Sequence, residues 1–272
     1  MTKPELVIGA GSLTEIEAYI QAGADAVQIG DERFAMRMPG SIAESQLAEA
    51  VDLAHRLGAK AYVVANMLLD NDRLEELPQY LRQASEAKAD AVVFGDPAVL
   101  LVAREAGVQL PFHWNTEMTV TNYRTANYWG RRGATRAILA RELNMEQVLE
   151  FKRNTTLEVQ VQVHGMTNLF HSKRRLVANY YDHLGKPVQS PAELGPERQL
   201  YLVEEERQDE QYPIYEDLNG THIMSGDDVC MIENLEELLE GGIDSFKIEG
   251  LLKPLEYNVT VLMQYRQAID KY

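Results

Sequence analysis

Six ionisable side chains stand at or just past the ends of short apolar runs: Glu117, Arg141, Glu142, His164, Lys247 and Glu249. The carboxylates can serve as acids or bases, Arg141 and Lys247 can bind an anion, and His164 can carry a proton near neutrality. The same groups could close on one another as ion pairs, Arg141 with Glu117 or Glu142 and Lys247 with Glu249. So many at run ends favour a ligand site over separate pairs. A second cluster, Lys173, Arg174 and Arg175 with Tyr180 and Tyr181 close behind, could take phosphate and a stacked base, or form the wet face of a short helix.

Other chemistries lack their residues. The chain has no H-E-x-x-H, C-x-x-C, G-x-S-x-G or Walker pattern, and GAGSLT after the first apolar run lacks the third glycine of a dinucleotide fingerprint. One cysteine, Cys230, cannot form an internal disulfide, and alone it cannot hold a zinc ion or an iron–sulfur cluster. No metal site is expected.

The elements that must position these residues alternate. Strand candidates are LVIGA (6–10), AVQIG (26–30), KAYVVAN (60–66), AVVFGD (91–96), PFHWN (111–115), RAILA (136–140), EVQVQVHG (158–165) and SFKIEG (245–250). They read as nearly continuous apolar runs, the signature of strands covered on both faces. Amphipathic helices are expected over 13–22, 42–57, 73–88, 97–106, 122–132, 144–153, 231–241 and 254–271. Gly23, Gly58, Gly133 and Gly242 supply left-handed caps before the next strand. The phrase AGADAVQIG returns loosely as AKADAVVFG and GGIDSFKIEG, one helix-cap-strand unit reused. Eight such alternations predict an α/β fold, a (β/α)8 TIM-type barrel, with a doubly wound open sheet as the alternative. In a barrel the six ionisable residues gather at the C-terminal mouth, in one polar pocket.

Residues 1–272 then form a single barrel domain with a long insertion, 166–230, between strands seven and eight and over the mouth. The insertion breaks the rhythm, and YLVEEER and YPIYEDLNGTHIM read as two arms of a β-hairpin with Asn219-Gly220 in a turn.

Composition sets the setting. Forty-two acidic against 26 basic residues leave a net charge of −16, which repels phosphate backbones at long range and excludes a freestanding nucleic-acid clamp. No apolar run reaches membrane-spanning length and no secretory signal opens the chain. With a single cysteine, a cytoplasmic location is expected.

At QVHGMTNLFHSKRRL and SGDDVCMIENLEELLEGGIDSFKIEGLLK the chain resembles the collagenase-like peptidases of peptidase family U32, and AGADAVQIGDERFAMR, FGDPAVL and LARELNM extend the likeness to nearly its whole length. Members of known role are similar to factors for tRNA wobble-uridine hydroxylation, 23S rRNA hydroxylation and oxygen-independent ubiquinone hydroxylation, and many hold a four-iron four-sulfur cluster on four cysteines. The family pattern places cysteines where this chain has Asn168 and Arg175, and only Cys230 matches a cluster position, as a lone remnant. No cofactor is therefore expected in this chain.

The resemblance implies a short bacterial member acting in tRNA wobble-uridine 5-hydroxylation beside a longer, cysteine-bearing paralogue that supplies the iron–sulfur cluster, as a hetero-oligomer that meets tRNA through the complex. Two alternatives stand: a peptidase, as the family name implies, and a non-enzymatic protein holding a small anion in its mouth.

Overall fold

The computed structural model describes residues 3–115 and 121–272. In chain order the elements are β1 (Glu5–Gly9), α1 (Leu13–Gln21), β2 (Ala26–Ile29), α2 (Leu47–Arg56), β3 (Lys60–Ala65), α3 (Asn71–Glu86) and β4 (Ala91–Phe94). There follow α4 (Ala98–Glu105), β5 (Phe112–Asn115), α5 (Tyr123–Gly130), β6 (Ala134–Ile138), α6 (Met145–Asn154) and β7 (Glu158–Ser172). The chain continues through α7 (Leu176–His183), β8 (Leu200–Glu204), β9 (Arg207–Asp217), β10 (Gly220–Cys230), α8 (Leu235–Glu240), β11 (Ser245–Glu249) and α9 (Leu255–Lys271).

Strands β1 to β7 pair in sequence order, and β11 pairs with both β1 and β7, which closes the ring into a (β/α)8 barrel of the TIM type. Alternation along each strand explains the apolar runs. Leu6, Ile8, Val27, Val63 and Phe94 pack outward with the helices, while Val7, Ala26, Tyr62, Val64, Ala91, Val93 and Ile138 fill the interior. The helices begin where short polar side chains can accept orphan backbone N–H groups: Ser12, Asp70, Asn122 and Asn144 each bond to the backbone three residues on. Gly58 and Gly242 end their helices with φ of 82° and 72°, the left-handed cap the sequence predicts.

The repeated phrase has a structural meaning. Its aspartate, Asp25, Asp90 or Asp244, lies just before a strand and accepts the backbone N–H of Leu6, Ala61 or Val159 on the neighbouring strand, at 2.8, 2.8 and 2.6 Å. In return the aspartate's own backbone N–H donates to the carbonyl of that same residue. Each copy clamps the start of one parallel pair, where the ladder would otherwise fray.

Two compact units are present, residues 1–164 with 231–272, and residues 165–230. In the second, β8, β9 and β10 form an antiparallel meander joined to the far half of β7. The expected hairpin is thus one strand richer. YPIYEDLNGTHIM folds back on itself, with Asp217 opposite Gly220, and YLVEEER pairs with the other half of the long β9.

Candidate functional site

At the C-terminal ends of the barrel strands a small polar cavity is lined by Gln28, Arg37, Asn66, Asn115, Lys247 and Glu249, with Met36, Met38, Val64, Val93 and Ile138 between them. Lys247 and Glu249 project inward from alternate positions of β11, with Lys247 Nζ 3.0 Å from Glu249 Oε2. Arg141, just past β6, places Nη2 3.9 Å from the same carboxylate oxygen and donates from Nε to Gln162 Oε1 of β7 at 2.5 Å. All three charged side chains are largely withdrawn from solvent.

Arg37 is the residue that sequence reasoning missed. It is buried, takes φ of 58°, and lies in the loop after β2. Asn66, at the end of β3, holds that loop by accepting from Met36 N–H at 2.8 Å and donating to Met36 O at 3.3 Å. A left-handed non-glycine residue costs backbone energy and persists only where its surroundings fix it. The readable sign was a lone arginine in the apolar run Phe34 to Pro39.

Of the other expected mouth residues, Glu142 is exposed and is not among those lining the cavity. His164 is buried and bonds through Nε2 to Tyr257 Oη of α9 at 2.9 Å, with the Tyr265 ring centroid 5.5 Å away. Glu117 lies outside the described residues. In the described part of the mouth Arg37 and Lys247 line the cavity together with Glu249, and Arg141 approaches the same carboxylate. Guanidinium and ammonium groups held in such a withdrawn site are chemically suited to contact a small anion and to neutralise charge that develops on it.

The opposite, N-terminal end of the barrel carries a separate network. Arg136 on β6 pairs with Glu5 at 2.5 Å and Glu158 at 2.7 Å, and Tyr62 donates to Glu5. Burial pushes the Glu5 carboxyl up, but the Arg136 charge, the Tyr62 hydroxyl and Lys60 outweigh it and hold it below the ordinary carboxylate value. Burial, with Arg136 and Lys60 nearby, drives the His113 imidazole well below its usual pKa, so it stays neutral. This end of a barrel serves stability.

In the second unit the basic segment precedes α7. Glu216 of β9, almost fully buried, accepts from Val177 N–H at 2.7 Å and from Thr221 Oγ1 at 2.6 Å, so it caps the helix start. Arg175 leans on that carboxylate at 3.7 Å, while Lys173 and Arg174 are exposed. Glu216 thus fixes the helix and leaves two cations facing water. The cluster implied by the family likeness does not fit here. Its positions hold Asn168, the ion-paired Arg175 and the exposed Cys230, a single thiol where several thiolates are needed. Among the described residues no group of three or more His, Cys, Asp or Glu side chains is arranged to hold a metal ion. No helix among them is long and apolar enough to cross a membrane.

Both the sequence and the fold have known relatives. The profile of Peptidase family U32 matches residues 11–272. The chain is 50% identical over 270 residues to tRNA hydroxylation protein P2 of Bacillus subtilis, covering 99% of this chain and 87% of that protein. It is 29% identical to tRNA hydroxylation protein P1 of the same organism, covering 99% of this chain and 64% of that longer protein. To tRNA hydroxylation protein P of Escherichia coli it is 30% identical, over 99% of this chain and 68% of that protein. A solved U32 peptidase superposes with a TM-score of 0.57 at 18% identity, covering 92% of this chain and 94% of that one, and so shares its fold.

Proposed function

The chain belongs to peptidase family U32, and on that premise we propose that it is a component of tRNA wobble-uridine 5-hydroxylation that acts with a longer paralogue. The observation that carries this reading is the 50% identity to the Bacillus P2 protein along almost the full length of both chains. P1 and P2, which bear the same system name in one organism, support a division of labour between a long and a short member.

The chain's own residues fit a part of that work. The redox cluster belongs to the paralogue, because Asn168 and Arg175 stand where ligands are needed. The barrel mouth, with Arg37, Arg141 and Lys247 around Glu249, binds a small anionic reactant. Lys173 and Arg174 offer two phosphate contacts, too few for unaided binding against a net charge of −16, so tRNA is met through the complex.

The test of partnership is affinity purification of the tagged chain from its own cell. The longer paralogue is expected in the eluate, and tRNA from a strain lacking the chain is expected to lose 5-hydroxyuridine derivatives. An eluate without any family member, together with unchanged nucleosides, would overturn the proposal.

A further inference from the structure

Strand β8 is the last strand of its sheet, so one of its edges has no strand beside it among the described residues. Along it Tyr201, Leu202 and Val203 are 49%, 48% and 47% exposed. Because successive side chains point to opposite faces, exposure of all three means that neither face is covered. A run of three exposed apolar residues on an open edge is a template for another strand, and soluble proteins blunt such edges unless they are used. The strand contains no lysine, proline or glycine that would do so.

The charge beside this edge selects the occupant. The end of β8, the turn after it and the start of β9 carry Glu204, Glu205, Glu206, Asp209 and Glu210, all exposed, against Arg207 alone, which already pairs with Glu204 at 2.8 Å. A second copy would bring the same carboxylates, on a chain of net charge −16, to this acidic tip. A strand bearing lysine or arginine meets attraction instead. Resting on the partnership proposed above, we infer that the open edge of β8 receives an extended, apolar segment carrying lysine or arginine from the longer family paralogue. The segment joins the sheet by main-chain pairing, and its basic residues lie against the glutamates of the β8–β9 turn.

Calorimetric titration of the purified full-length chain into the purified paralogue tests this, with sedimentation of the chain alone as control. Two variants are compared with the wild type, Tyr201→Lys/Val203→Lys on the edge and Glu205→Lys/Glu206→Lys in the turn. Both sets of positions are exposed, and thermal melts verify the fold. Each variant is expected to weaken binding by about tenfold or more, with the turn variant losing most of the salt dependence. Wild-type binding that both variants retain overturns the edge assignment and leaves the partnership standing. Absence of any wild-type complex removes both. Self-association of the wild type that the edge variant abolishes assigns the edge to a second copy and also overturns the inference.

Discussion

Lys88 has φ of 62° at the end of α3, in the position that Gly23 and Gly242 fill in the other copies of the repeated phrase. A side chain there strains the backbone where its sister copies have none, so Lys88→Gly is expected to stabilise the chain by about 0.5–1 kcal/mol in urea unfolding. The mouth is decided at the same scale. Lys247, Glu249 and Arg141 could be found from the sequence because each ends an apolar run, and the strand end fixes where such a residue goes. Arg37 left only the faint sign of a lone arginine in an apolar run, since its burial depends on Asn66, distant in sequence, gripping the backbone of Met36. His164 had the right position, but Tyr257 and Tyr265 of α9 determine its partners, and nothing near His164 in the sequence announces them. Replacing Arg37 by Met is expected to lower tRNA 5-hydroxyuridine by about tenfold with an unchanged melting profile, the size of effect expected when one buried charge-assisted contact is lost. Full modification in that strain would remove Arg37 from the site.

Among the elements, the parallel strands are held at their starts by side chains as well as by ladders. Asp90→Ala removes the carboxylate that accepts Ala61 N–H and leaves that donor without its partner, at an expected cost of about 1–3 kcal/mol. Asp244→Ala, at the equivalent place on β11, is expected to behave alike, and a loss confined to one of the two would contradict the shared role. At the N-terminal end of the barrel, Glu5 links β1 to Arg136 on β6. Its carboxyl lies below the ordinary value of 4.5, so its contribution is complete above that pH and is lost as the pH falls through the depressed value. Glu5→Gln is expected to flatten the acid limb of the stability curve, while Arg136→Met, which leaves the buried Glu5 carboxylate only Tyr62 and the exposed Lys60, costs about 3 kcal/mol at neutral pH. The eight alternations were legible because apolar runs, polar helix starts and glycine caps all mark the same boundaries. The meander of the second unit was less so, because β9 pairs on both sides and a turn dipeptide locates a bend without counting the strands around it.

For the whole molecule, charge and family membership point the same way. A chain of net charge −16 keeps Arg37, Arg141 and Lys247 near Glu249 at its mouth and a capped basic helix start. Under the proposed function the first feature serves a reactant and the second a route to RNA. The proposed function requires this chain's mouth for tRNA hydroxylation. The direct measurement is mass spectrometry of tRNA nucleosides from a strain lacking the chain, resupplied with either the wild type or an Arg141→Met/Lys247→Met variant of equal abundance. The wild type is predicted to restore 5-hydroxyuridine derivatives and the variant to leave them near the deletion level. Unchanged hydroxylation in the deletion strain, or equal restoration by both chains, would contradict the account.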